Sequence, residues 1–136
     1  MAVVASGGWS PLRGNAYELA QWWKQTLGYA DDLDDPDGPG GPGDEEVAIV
    51  DPDGDGPVLL FIEVPEGKSA KNRLHLDLQP RAGRRDEEVE SLLSRGASLV
   101  ADHRGIAGPG TGWQVLADPA GNEFCVLRST AERQAG

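Results

Sequence analysis

Residues 114–121 read QVLADPAG, and residues 47–54, 67 positions earlier, read VAIVDPDG. Each is a short apolar run that enters an Asp-Pro-x-Gly turn. Proline presets φ, the aspartate side chain bonds amides further along the turn, and glycine takes the positive φ that closes it. The strands that follow also match, LLFIEV at 59–64 against NEFCVL at 122–127. A helical pattern precedes each copy. The first ends at Gly28 and the second at Gly96, 68 positions on. A common turn motif repeats by chance often enough, but two unlike elements at nearly one offset indicate a duplication.

The rest of the chain fits around this repeat. Ala2 to Ala5 (AVVA) reads as a strand. Asn15 is a suitable cap with Glu18 three residues on, and Leu19, Trp22, Trp23 and Leu27 follow at helical spacing. Residues 31–46, DDLDDPDGPGGPGDEE, read as a solvated loop or partly disordered insertion. Their acid density invites a calcium-loop reading, but the prolines break that spacing and no glutamate stands at the twelfth position. Strands are expected at 47–50, 58–64, 73–79 (RLHLDLQ), 97–101, 113–117 and 123–128. A second helix is expected at 86–95, a Gly-rich loop at 103–112 and a frayed tail from Ser129.

Strand, helix and three strands therefore occur twice, in a first module of about residues 1–66 and a second of about 71–129. The expected fold class is α+β, one domain spanning 1–136. Two tandem βαβββ modules form a curved mixed sheet around a concave cleft, with helices outside. Strand alternation aims every second residue into that cleft.

Composition narrows the function. A length of 136 residues suits one domain, and the net charge is -11. Nucleic acid and anionic membrane surfaces are unsuitable partners for such a chain, because both demand a cationic face. Cys125 is the sole cysteine, so no internal disulfide forms, which fits a reducing compartment. Residues 1–10 have neither the basic flank nor the apolar run of a signal peptide, and a cytoplasmic location is expected.

ELAQWWKQTLGY at 18–29, KNRLHLDL at 71–78 and WQVLADPAGNEFCVL at 113–127 resemble the glyoxalase-like branch of the vicinal-oxygen-chelate superfamily. The similarity runs from Glu18 to Arg128 apart from the acidic insertion. The resemblance implies the paired-module fold just described. It also implies a choice between metal-dependent enzymes and metal-free proteins that sequester antibiotics, a choice that fold alone does not make.

Residue by residue, the resemblance leaves little of a metal centre. Such enzymes take ligands from four strand positions, two per module, filled mostly by His, Gln or Glu. In the second module these fall on His75 and Cys125, in the first on Ile62 and on a residue within 3–7, where no His, Glu or Gln stands. Zinc needs three or four donors, and hard ions prefer oxygen. Glu123 shares a strand face with Cys125 and is the one further oxygen donor nearby. His103, in a loop, has no spacing that recommends it. No metal and no cofactor is therefore expected.

The candidate ligand-binding residues are Trp9, Ile62, His75, Asp77, Trp113, Glu123 and Cys125. His75 and Asp77, two apart on one strand, are the candidate acid–base pair if the protein is an enzyme, since imidazole titrates near neutrality. Against each stands an ordinary structural role: a hydrogen-bonded histidine, a small buried cysteine, rim-packing tryptophans. Trp22 and Trp23 lie on the first helix, and at least one is expected to pack on the sheet as core rather than site. The expected function is metal-free binding of a small aromatic natural product or antibiotic, in resistance or biosynthesis, by a homodimer. The alternative is a vicinal-oxygen-chelate enzyme, an isomerase, cyclase or lyase, metal-independent or metal-dependent, that acts on a small organic substrate with His75 as acid–base.

Overall fold

The computed structural model describes residues 16–36, 38–62 and 76–135, together with the backbone of residues 2–5. Trp9, Asn15 and His75, and the parts of the expected strands at 63–64 and 73–75, lie outside the described residues. The chain divides into two compact units, Trp9–Lys71 and Asn72–Gly136, the latter joined by Met1–Gly8.

In the first unit, helix α1 spans Ala16–Leu27 and buries Ala16, Leu19, Ala20, Trp23 and Leu27 along one stripe. Trp23 is in the core, and Trp22 meets its ring edge-on at 5.1 Å. Gly28 then takes φ +70°, and the Tyr29 amide donates back to the Lys24 carbonyl at 3.0 Å. That left-handed turn and backward bond stop the helix. The strands β2 (Ala30–Asp31), β3 (Glu46–Val50) and β4 (Leu59–Ile62) form an antiparallel sheet in the order β2-β3-β4. Val47, Ile49 and Phe61 are buried on one face, and α1 contacts both β3 and β4. Burial of side chains this size contributes about 1.5–3 kcal/mol each. Alternation leaves Ala48, Val50, Leu60 and Ile62 on the other face, half-buried.

The acidic stretch is a loop beyond Asp31, built from local turns. Lys24 pairs with Asp31 at 2.9 Å, the Asp32 carboxylate accepts from the Asp34 amide, and Asp44 exchanges hydrogen bonds with Gly41. Short β2, which pairs Ala30 and Asp31 with Val50 and Ile49, was not anticipated by the sequence pattern.

The second unit holds a five-stranded sheet in the order β1-β5-β8-β7-β6. Its strands are β1 (Ala2–Ala5), β5 (Leu76–Gln79), β6 (Ser98–Asp102), β7 (Gln114–Ala117) and β8 (Glu123–Val126). The β5–β8 pairing is parallel and the others antiparallel. Helix α2 (Arg85–Ser94) lies between β5 and β6 in sequence. The order β8-β7-β6 repeats β4-β3-β2 with the same pairings, as a duplication requires.

The repeat extends to individual backbone bonds. Gly96 takes φ +103° after α2, and the Ala97 amide donates to the Leu92 carbonyl at 3.1 Å, the same five-residue reach as Tyr29 to Lys24. Asp51 Oδ1 accepts from the Asp53 amide and Asp118 Oδ1 from the Ala120 amide, both at 2.9 Å. The turns close on Gly54 and Gly121, at φ +75° and +90°.

Ser129 onward does not fray. It forms a third helix, α3 (Thr130–Gln134), started by a capping box. The Ser129 hydroxyl accepts from the Glu132 amide at 3.0 Å, and Glu132 Oε2 accepts from the Ser129 amide at 2.7 Å. These reciprocal bonds satisfy two otherwise orphaned donors. Edge strand β6 exposes Leu99 and Val100, and a register shift between Leu99 and Ala101 interrupts it. Such a bulge blunts a sheet edge against pairing with another chain. Among the described residues no helix is long and apolar enough to cross a membrane.

Candidate functional site

Strand pairing sorts the second sheet into two faces. Leu78, Leu116, Phe124 and Val126 are fully buried on one, beside Gln114. Asp102, opposite Gln114 on that face, shares Arg104 with Asp86 of α2, so the start of α2 lies on this side.

The other face carries most of the described candidate residues. Asp77 stands opposite Cys125, Cys125 opposite Val115, and Val115 opposite Ala101, a row across four strands. Glu123, opposite Ala117, sits two residues along from Cys125 on the same face. Cys125 is 8% exposed and Val115 7%, so the middle of the row is apolar and buried. Cys125 is thus a small buried side chain within the apolar row.

Trp113 continues the same face beyond β7, and the structure adds His103 to it. The His103 amide donates to the Trp113 carbonyl at 2.9 Å, which extends the β6–β7 ladder by one pair. The two rings lie 5.0 Å apart, tilted by 36°. The intervening loop is fastened by Gly105 to the Thr111 carbonyl at 2.8 Å and by the Ala107 amide to Thr111 Oγ1 at 3.0 Å. Gly112 takes φ +86°, and a Cβ there would overlap the His103 carbonyl. Only glycine allows the hairpin to close with these rings together. Sequence spacing had set His103 aside. The available signal was the hairpin itself: with Val115 placed inward, the residues that continue the ladder, 113 and 103, share its face.

In the first module the matched positions on β4 carry no donor, and on that face of the described strands only the exposed Glu46, opposite Ile62, is charged. Ile62 lies on the half-buried face of β4. By ladder register Leu60, opposite Ala48, occupies the place that Cys125 holds opposite Val115. Both are hydrocarbon and share one face. Among the described residues no three of His, Cys, Asp and Glu gather in one place. The donors among the described residues do not by themselves make the three- or four-ligand set that zinc takes, and His75 lies outside them.

An open cleft of about 880 Å³ lies on the helix side of the sheet, lined by Arg84, Arg85, Asp102, Arg104, Arg128 and Glu132 among others. The Arg104 guanidinium, bonded to Asp102 by side chain and amide, pulls that carboxyl down to about 2. Burial pushes Glu132 upward, but amide bonds from Ser129 and Arg85 outweigh it and hold the carboxyl below its ordinary value. In the first unit, burial and then the Asp51 charge push the Tyr29 phenol up.

The family model of the glyoxalase-like domain matches residues 13–127. The chain belongs to the glyoxalase-like domain family. Solved structures of similar shape agree with this glyoxalase-like domain. A hypothetical protein from S. aureus is 16% identical, with 89% of this chain and 92% of that one covered and a TM-score of 0.57. A possible glyoxalase from Bacillus cereus is 15% identical, with 87% and 94% covered and a TM-score of 0.55. A glyoxalase candidate from Bacillus halodurans is 17% identical, with 87% and 91% covered and a TM-score of 0.55. At such identities the likeness is one of fold. No curated protein matches the sequence. The glyoxalase-like domain thus sits in the vicinal-oxygen-chelate superfamily, as its DPAGNEF and HLDL segments indicated.

Proposed function

We propose that this glyoxalase-like domain binds a small planar organic molecule without a metal, to sequester or carry it in the manner of an antibiotic-binding protein. The observation that carries the reading is the face of the second sheet on which the Trp113–His103 ring pair shares a side with Val115, Cys125 and Asp77. A stacked ring pair beside an apolar row suits an aromatic plane, and a few polar groups fix its orientation. Hydrocarbon at Leu60 and Ile62 supports a metal-free site. Net charge of -11 favours a neutral or cationic molecule. The working unit is a cytoplasmic homodimer, and size-exclusion chromatography with light scattering checks its mass.

Calorimetric titration with a panel of planar aromatic natural products, with and without EDTA, tests the reading. Saturable binding that EDTA leaves unchanged and Trp113→Ala weakens about tenfold, roughly 1.4 kcal/mol, is the expected result. Binding that depends on added divalent metal, or near-stoichiometric metal in protein purified without a tag, overturns it.

Asp77, in register with Cys125, favours a second reading, in which this carboxylate moves a proton on the bound molecule. Mass-spectrometric detection of a changed product, lost in Asp77→Asn, separates turnover from storage.

A further inference from the structure

The cleft on the helix side of the second sheet has no part in the site proposed above, and its charge runs against the rest of the chain. Four arginines, Arg84, Arg85, Arg104 and Arg128, line it with three carboxylates, Asp86, Asp102 and Glu132. Out of 12 basic and 23 acidic residues, that leaves 8 against 20 elsewhere. Solubility in an acidic protein does not call for arginines gathered on one wall.

The three carboxylates are already committed. Asp102 takes Arg104 through both oxygens, Nε to Oδ1 at 2.9 Å and Nη2 to Oδ2 at 2.6 Å. Asp86 accepts from Arg85 Nε at 3.1 Å and lies 3.5 Å from Arg104 Nη1. Glu132 Oε2 accepts from the Ser129 and Arg85 amides. Arg85 spends Nη1 on the Gly112 carbonyl at 2.8 Å, which ties α2 to the β6–β7 loop. Arg85 and Arg104 are thus structural.

Arg84 and Arg128 are not accounted for in this way. Arg128 Nη2 donates to the Glu132 main-chain oxygen at 2.9 Å, a neutral acceptor. Arg84, at the N-cap of α2, is exposed and makes no side-chain cap bond. Among the described residues neither guanidinium meets a carboxylate, yet both line the cleft. Two guanidiniums without a carboxylate partner, lining one cleft whose wall is already fixed by ion pairs, suit an oxyanion, because each presents paired N–H groups to tetrahedral or planar oxygens.

We propose that this cleft is a binding site for a phosphate-type oxyanion, carried by free phosphate or by a phosphorylated small molecule. Arg84 and Arg128 supply the charge, and Arg85 and Arg104 with their partners supply the rigid wall. The cleft lies on the other face of the sheet from Trp113, and among the described residues Arg84 and Arg128 touch none of those of the aromatic site.

The test is calorimetric titration of the full chain with inorganic phosphate at pH 7, with ionic strength held by chloride. One saturable site with a dissociation constant on the order of millimolar is expected. The double substitution Arg84→Gln with Arg128→Gln is expected to weaken it at least about tenfold while Trp113-dependent aromatic binding is unchanged. If the double variant fails to fold, Arg84→Gln alone, at an exposed position, serves with a smaller expected loss of about threefold. Glycerol phosphate in parallel separates the sources: tighter binding than phosphate assigns the site to a phosphate ester, equal or weaker binding to the free anion. No saturable binding of either, or binding unchanged in the variants, overturns the proposal.

Discussion

Asp51 and Asp118 make the same turn in the two modules, at very different burial, and that contrast gives a quantitative prediction. Asp118 is 2% exposed and accepts from the Ala120 and Asn122 amides at 2.9 Å each and from Asn122 Nδ2 at 3.0–3.1 Å. Asp118→Ala leaves three N–H groups without these acceptors, two of them on Asn122, itself 3% exposed. A buried orphan costs about 1–3 kcal/mol, and water reaches the half-buried Ala120 more readily, so a total of about 3–4 kcal/mol is expected. At Asp51 the side chain accepts from the Asp53 amide at the surface, and Asp51→Ala should cost about 0.5–1 kcal/mol. For a chain of this length about 1 kcal/mol moves the melting temperature by roughly 3–5 °C. Losses of about 10–15 °C for Asp118→Ala and 2–4 °C for Asp51→Ala follow, read by calorimetry or by urea unfolding followed by circular dichroism. Asp118→Asn, which keeps the shape but turns a donor toward Asn122, should fall between. Equal losses at the two aspartates, or a loss under about 1 kcal/mol at Asp118, would refute the assignment of the turn's strength to buried hydrogen bonds.

Three further outcomes are expected. Gly112→Ala meets both the His103 carbonyl and an unfavourable φ of +86°, and should cost about 2 kcal/mol or more and abolish Trp113-dependent aromatic binding, checked by melting and titration. Ser129→Ala removes the cap of α3 and its bond to the Gly83 carbonyl at 2.8 Å, for a loss of about 1–2 kcal/mol in urea unfolding. Asp102 is held at about 2 against an ordinary 3.8, and Glu132 below its ordinary 4.5. Folded values below unfolded ones mean stabilisation that is full above the unfolded value and lost as pH falls through the folded one. The melting difference between wild type and Glu132→Gln should therefore be constant above the ordinary value of 4.5 and shrink as pH falls below it. A difference that grows on acidification contradicts the sign. Asp102, fully exposed, adds little to this profile.

Most of the fold was legible because local chemistry fixes it. Gly28 and Gly96 close helices at positive φ, and Asp-Pro-x-Gly closes both turns, so the repeat in residue type is a repeat in backbone bonds. Helix α3 was legible too, since Ser129-Thr-Ala-Glu132 has capping-box spacing. Its polar residues and terminal position suggested fraying, and what tethers it is long-range: the Ser129 hydroxyl on Gly83 and Glu132 on the Arg85 amide. The candidate site was half legible. Alternation placed Asp77, Cys125, Glu123 and Trp113, but His103 joins them only through the closure of the hairpin loop 104–112. Equivalence of Ile62 with Cys125 followed the sequence match. The β3–β4 turn is longer than the β7–β8 turn, and ladder register puts Leu60 there, two residues back on the same face. The arginine cleft was invisible, because its residues are spread from Arg84 to Ala135 and only tertiary structure gathers them.

The two modules have kept the residues that make the backbone and lost likeness on the strand faces where the binding site is proposed. A chelate in this superfamily draws donors from both modules, because one strand face offers two positions per module, short of the three or four that zinc takes. Hydrocarbon at Leu60 and Ile62 removes one module's share. On the second module the polar side chains Asp77 and Glu123 flank an apolar patch of Cys125, Val115 and Ala117, and the ring pair of Trp113 and His103 stands further along the same face. Carboxylates at the border of an apolar, aromatic surface are placed to hydrogen-bond donors on a bound molecule, while the row beside them excludes water from its plane. On the proposed surface the cost of leaving the Asp77 carboxylate unpaired would set selectivity, so ligands that lack a matching donor should bind more weakly than their aromatic area suggests.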